Sequence, residues 1–310
     1  MTGKGLLQRL LAVTGAGLVF LVWSEYVFVN DDPARALASG DLSNLAVMAA
    51  VYVTLAWLFL VALGRLRPGD AWGLFLVACL FGWATEALFV PIAYEAPPVS
   101  YIWPSVGWHA LLDVMLGWVA LRWLMRRAAL WQVAAVHGLL GAGWALWATW
   151  LAAGDGALLT TAEFTRLALS AGALWLAGLW LSDRMTSVPR PGRAETLVAA
   201  LVALALFAAT GLPYWPSALG LAAIAGLTAL AASRRPGAPP VPSGPAPAPS
   251  RYLAAAAMPL AAAAAYPLIL ASGLRAPAED LPALLLFAGG AAWLYALLRG
   301  LLPGGPATRA

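Results

Sequence analysis

Long apolar runs broken at intervals by short polar clusters set the pattern of this chain. The runs are continuous rather than alternating, and Ala and Leu dominate them, so they read as helices and not strands. A hydrocarbon core about 30 Å thick is crossed by about 20 helical residues. Runs of roughly that length fall at about 6–29, 43–64, 71–94, 105–125, 128–152, 164–183, 195–213, 217–233, 252–271 and 282–303. The eighth is short, and the turn Pro213-Tyr214-Trp215-Pro216 before it would also suit a re-entrant segment. The pattern predicts an all-α, polytopic transmembrane helical bundle of about ten spans, with a range of 8–10. An even count places both termini on one side.

Charge then orients the bundle. With the loops numbered alternately, one side collects Lys4, Arg9, Arg65, Arg67, Arg122, Arg126, Arg127, Arg184, Arg190, Arg193, Arg234, Arg235, Arg251, Arg299 and Arg309. The other side holds only Arg35, Arg166 and Arg275. Positive residues stay cytoplasmic, so the sequence predicts N-in/C-in topology in the cell's inner membrane. The acids sort the opposite way: Asp31, Asp32, Asp41, Glu95, Asp155, Glu163, Glu279 and Asp280 outside, against Asp70, Asp183 and Glu195 inside.

Composition supports this reading. Hydrophobic residues make up 62% of the chain and charged residues 10%, where a soluble domain carries about 25% charged. Mean hydropathy is +0.81. A net charge of +4 does not signal nucleic acid, because the basic residues are spread along one membrane face. The single cysteine, Cys79, excludes an intramolecular disulfide and any CxxC centre. The first apolar stretch is too long for a signal peptide and no Ala-x-Ala cleavage site follows it, so it reads as a retained helix.

Two regions differ in character. Residues 1–184 hold 14 of the 16 tryptophans and every carboxylate placed inside a span, and they read as a six-helix region carrying the chemistry. Residues 185–310 read as a four-helix, Ala/Leu-rich region containing the segment 234–251, whose Pro, Ala, Gly and Ser content predicts a flexible cytoplasmic linker. A short echo joins the ends of spans one and three: Trp23-Ser-Glu25-Tyr-Val-Phe28-Val29 and Trp83-Ala-Thr-Glu86-Ala-Leu-Phe89-Val90 share Glu-x-x-Phe-Val.

An ionisable side chain inside a span costs several kcal/mol unless paired, neutralised or hydrated, so such residues are the default site candidates. They are Glu25 on span one, Glu86 on span three, His109 and Asp113 on span four, and His137 on span five. At 1.5 Å rise per residue, Glu25 and His109 lie roughly 6 Å below the outer boundary, and Glu86 and Asp113 roughly 12 Å below it. His109 and Asp113, four residues apart, share a helix face. A polar funnel opening outward would bring Glu25, Glu86, His109 and Asp113 together, under a lid formed by the Pro- and aromatic-rich loop 95–104. His137 reads more simply as a packing residue and Cys79 as a small buried hydrophobe.

Closely placed carboxylates in a dry site furnish an acid and a base. The first expectation is an intramembrane enzyme acting on a lipid or isoprenoid-like small molecule, with Glu86 or Asp113 as acid or base, His109 as partner and Glu25 nearby. The same four residues, Glu25, Glu86, His109 and Asp113, would also make a mixed oxygen and nitrogen ligand set for a divalent metal. A proton- or ion-coupled transporter is the alternative, since buried acids also serve as relays, although the inner half of the bundle has few polar residues. A non-catalytic subunit of a membrane complex is the third. Walker, dinucleotide and Gly-x-Ser-x-Gly motifs are absent, and Lys4, the sole lysine, lies before the first span, which excludes a Schiff base within the bundle.

Overall fold

The structure, a computed structural model, describes residues 3–153, 157–185 and 187–302. Asp155 and Arg309, which entered the charge sorting, lie outside the described residues, as does the side chain of Lys4. The described chain is helical, and its sole β feature is an isolated bridge between Pro68 and Pro236.

The helices are α1 (Gly3–Leu21), which continues as a π-helical turn over Val22–Val27, α2 (Asp31–Ser39), α3 (Leu42–Leu66), α4 (Ala71–Leu88), and the single turns α5 (Ile92–Glu95) and α6 (Val99–Ile102). A π-helical stretch, Ser105–Ala120, runs into α7 (Leu121–Arg127). Then come α8 (Leu130–Trp147), α9 (Thr161–Ser182), α10 (Arg193–Gly211), α11 (Trp215–Ser233), α12 (Pro249–Ala255), α13 (Ala257–Ser272) and α14 (Asp280–Leu301). By length and apolarity, eight segments of the described residues are able to cross a membrane. α10 and α11 form one 41-residue segment of these, Arg193–Ser233, with a 3₁₀ turn at Leu212–Tyr214 between them. α8 is not among the eight; Gln132, His137 and its tryptophans dilute its apolar content.

The polar residues at helix ends do local work. Thr160 and Glu163 form a capping box on α9: Thr160 Oγ1 accepts from the Glu163 amide at 3.2 Å, and Glu163 accepts from the Thr160 amide at 2.7 Å. Asp41 caps α3 by accepting from the Ser43 amide and hydroxyl and the Asn44 amide, and these bonds hold its carboxyl below the usual range. Asp70 caps α4 through the Gly73 amide at 2.8 Å and pairs with Arg299 at 3.0 Å.

The chain divides into two compact units assembled from interleaved stretches. The first comprises 1–56, 116–187 and 242–281. In it α1 packs on α9, and α13 packs on α8 and α9. Glycines make these crossings possible: a Cβ on Gly178 would meet the Gly15 carbonyl at 2.9 Å, and one on Gly141 would strike the Met258 carbonyl. Close approach of helices over small residues is the usual basis of packing in lipid.

The second unit comprises 57–115, 188–241 and 282–310. α4 is its axis, with α10 and α11 packed against it. Trp83 on α4 donates to the Tyr101 carbonyl at 2.6 Å and meets Trp293 of α14 edge-on at 6.1 Å.

The Pro-rich segment departs from the flexible linker expected of its composition. Gly69 donates to the Arg235 carbonyl and Gly237 to the Arg67 carbonyl, both at 2.8 Å. Val241 is buried, and the Pro242 carbonyl accepts from Arg122 at 3.1 Å. Proline removes donors but leaves carbonyls, and the segment is held through the Arg235 and Pro242 carbonyls together with the Gly237 amide. Residues 243–248 are exposed or half-buried.

Candidate functional site

Rare π-helical geometry carries Glu25 and Asp113, while Glu86 lies in the α-helix α4. Glu25 lies in the π turn Val22–Val27, and His109 and Asp113 lie in the π stretch Ser105–Ala120. In the second case the register starts at Pro104, whose carbonyl accepts from the His109 amide five residues on, at 3.2 Å. π-turns inside helices are frequent at functional sites.

Glu86, His109 and Asp113 form one continuous hydrogen-bonded line within the second unit. His109 Nδ1 lies 2.7 Å from Asp113 Oδ2, and His109 Nε2 lies 2.6 Å from Glu86 Oε1. The three residues are buried, with Asp113 at 0%, His109 at 4% and Glu86 at 6% exposure. The sequence expectation is a funnel of four residues, Glu25, Glu86, His109 and Asp113; Glu25 belongs to the first unit, and within the second unit Glu86, His109 and Asp113 meet. What allows it is Gly82, one turn before Glu86 on α4. A Cβ there would collide with the Ser105 carbonyl and press on His109 Cβ at 3.3 Å. Glycine lets the two backbones touch, and the touching backbones put the imidazole between two carboxyl groups.

The far end of the line is open. Among the described residues, Glu86 Oε2 is buried with no hydrogen-bond partner. A buried polar oxygen without a partner costs about 1–3 kcal/mol, and native structures hold few such groups. Trp83 and Ala87, which flank Glu86 on α4, line an apolar groove of about 360 Å³ between α4, α10 and α11. Leu80, Leu204, Phe207, Leu221 and several alanines also line it, and Glu86 is not part of the lining.

Glu25 belongs to the first unit. Tyr52 of α3 donates to its Oε1 at 2.5 Å and Asn30 to its Oε2 at 2.9 Å. The π turn around it is fixed from α8 and the 3₁₀ segment that follows. Trp144 donates to the Tyr26 carbonyl at 2.8 Å, and Trp147 and Trp150 donate to the Phe28 carbonyl at 2.8 and 2.9 Å. Val29 just beyond it holds φ at +60°, an uncommon conformation for a β-branched residue and a local store of strain. Tyr52 and Asn30 were not singled out in the sequence, although a tyrosine in mid-span and an asparagine at a span end are the signals that mark them.

The expected metal set is divided between the units, with Glu25 in the first and Glu86, His109 and Asp113 in the second. Both ring nitrogens of His109 are committed to carboxylate oxygens, and a metal would need one of those lone pairs. Among the described residues, no group of three or more His, Cys, Asp or Glu is arranged to hold a metal ion.

His137 is fully buried and its Nδ1–H donates to the Val133 carbonyl at 2.7 Å, with the ring 5.4 Å from that of Trp175. Cys79 is a buried free thiol. The chain matches no known family model, no curated protein and no solved structure at a significant level.

Proposed function

We propose that this multi-pass membrane protein is an intramembrane acid–base enzyme acting on a lipid or isoprenoid-like substrate, with Glu86 as the group that exchanges a proton with it. The observation that carries the reading is the Asp113–His109–Glu86 line ending at the unpartnered Glu86 Oε2.

In the reading proposed, Asp113 orients the imidazole and compensates its charge, as the orienting acid of a catalytic triad does. A proton leaving Glu86 Oε2 for substrate is matched by a proton passing from His109 Nε2 to Glu86 Oε1. The carboxyl group stays neutral, and the charge change appears on His109 beside Asp113. The negative charge left behind rests on Asp113, which keeps its hydrogen bond to His109 Nδ1, and it is discharged when a proton returns to the line. The reverse sequence makes Glu86 the base. The apolar groove against α4 suits the hydrocarbon portion of the substrate. Glu25 serves in its own cluster with Tyr52 and Asn30 rather than as a fourth member of the line. An even number of passes between eight and ten, with cytoplasmic termini, belongs to the same proposal and is supported by the apolar runs and the arginine distribution.

The test is comparative mass spectrometry of lipid extracts from cells expressing the wild type, Glu86→Gln and Asp113→Asn at equal levels. A lipid species that accumulates with the wild type and with neither variant supports the reading. Identical extracts from all three overturn it. Proton flux in proteoliposomes that depends on Glu86, without lipid conversion, would point to the transporter instead.

A further inference from the structure

At the arginine-rich end of the first unit lies a buried cationic cluster that the acid–base site does not use. Arg122, on α7, is 0% exposed. Its Nε donates to Asp183 Oδ1 at 2.9 Å, and its Nη2 donates to the carbonyls of Ser182 at 2.9 Å and Pro242 at 3.1 Å. Arg126, one turn on, donates from Nη1 to the same Asp183 Oδ1 at 2.5 Å, with its side chain 10% exposed. Tyr252 completes the ring by donating to Asp183 Oδ2 at 2.7 Å. Two guanidiniums thus share one carboxylate, which leaves the cluster with one uncompensated positive charge.

The donors do not balance either. Among the described residues, Arg122 Nη1 and Arg126 Nε and Nη2 are buried without hydrogen-bond partners. Arg122 also lies 5.0 Å from the Trp118 ring centroid, which gives its guanidinium a cation–π neighbour but no acceptor. Nε and Nη2 form the side fork of a guanidinium, the edge that takes two oxygens of one phosphate or carboxylate. Asp183 occupies the opposite edge of Arg126. An uncompensated buried charge with a free fork is costly unless an anion accompanies it.

The geometry points to a phosphate-oxyanion site at this cluster, with Arg126 as the bidentate ligand and Arg122 as the second cation. The chemistry is that of a phospholipid headgroup or of free phosphate. A headgroup is the natural source, because α7 ends at the arginine-rich face, where anionic lipid attracts basic side chains. The inference does not depend on the reaction proposed for Glu86.

Lipid-depleted protein is titrated with phosphatidylglycerol micelles, phosphatidylcholine micelles or inorganic phosphate, and the thermal midpoint is followed for the wild type, Arg126→Lys and Arg127→Ala. Arg127 stacks on Trp123 at 3.9 Å and controls for general surface charge. Phosphatidylglycerol is expected to raise the wild-type and Arg127→Ala midpoints alike. Arg126→Lys keeps the charge but lacks the fork, so it should need about tenfold more lipid. A response to inorganic phosphate of the same size identifies a free anion as the source and retains the site. Native mass spectrometry of the wild type should show an anionic phospholipid or phosphate retained through purification. An equal response of Arg126→Lys and wild type, an Arg127→Ala loss as large as that of Arg126→Lys, or no response to either probe overturns the inference.

Discussion

His109 Nε2 lies 2.6 Å from Glu86 Oε1, and the same ring's Nδ1 lies 2.7 Å from Asp113 Oδ2. One imidazole therefore joins two carboxyl groups contributed by different helices. Amide replacement separates its chemical role from its structural one. Glu86→Gln and Asp113→Asn keep shape and much of the hydrogen bonding, so both variants should insert and purify as single species with activity lost. His109→Gln should fall between these and the wild type. His137→Leu should matter least. Gel filtration beside lipid conversion checks the series. Full activity in both amide variants would leave the line a structural feature.

Gly82 sets the approach that makes the line possible. Gly82→Ala should displace the Ser105 backbone and His109 Cβ together. The expected cost is that of overpacking, about 1–3 kcal/mol, accompanied by a loss of activity larger than the stability loss explains. Thermal unfolding and turnover measured on the same preparation check this. A variant with unchanged midpoint and unchanged turnover would show that the contact yields freely.

The fold class was legible in the sequence because bilayer crossing demands long apolar runs, and little else produces them. Glu86, His109 and Asp113 stood out in the sequence because buried charge is costly and few residues in the chain carry it, but the same argument grouped Glu25 with them and did not give the hydrogen-bond order. Gly82 did not stand out, because a glycine in a span looks the same whether it faces lipid or a neighbouring backbone. The π register was equally hidden, as it follows from tertiary fit around Pro104 and the tryptophans of α8. The Arg122–Asp183 cluster escaped notice for another reason. Both residues sit at span ends, where charge is expected, and only the packing shows Arg122 to be fully buried. The interleaving of the two units has no local signature at all.

The Pro-rich segment should respond in two distinct ways. Replacing 243–248 by a Gly/Ser stretch of equal length removes only exposed or half-buried residues and should leave thermal stability unchanged. Replacing 236–242 as well deletes buried Val241 and disturbs the carbonyl that Arg122 uses. That exchange should lower stability by about 1–3 kcal/mol. Equal midpoints for the two exchanges would show that the segment is not held.

Orientation is open to chemical labelling. With Cys79 replaced by Ala, Asp32→Cys and Pro98→Cys should react with an impermeant thiol reagent in intact cells. Ser187→Cys and Ser243→Cys should react only after permeabilisation. All four positions are exposed, so access across the membrane decides the result. The reverse pattern would turn the bundle over and place the acids on the cytoplasmic side.

Glu25 should prove less critical. Glu25→Gln keeps an acceptor for Tyr52 and is expected to reduce activity only mildly, and Tyr52→Phe should do the same by removing the donor. Turnover of the two variants and their double mutant checks the coupling, which should be non-additive for groups in direct contact. Additive effects would separate the two residues.

The central claim is that Glu86 exchanges a proton with a lipid substrate, and isotope transfer reads this directly. Protein reconstituted with host lipid extract is incubated in deuterium oxide, and the lipids are recovered, back-exchanged and analysed by mass spectrometry. The wild type should yield a lipid species carrying deuterium on carbon, and Glu86→Gln should yield none above the protein-free control. Equal labelling by the wild type and Glu86→Gln, or none with either, would contradict the account.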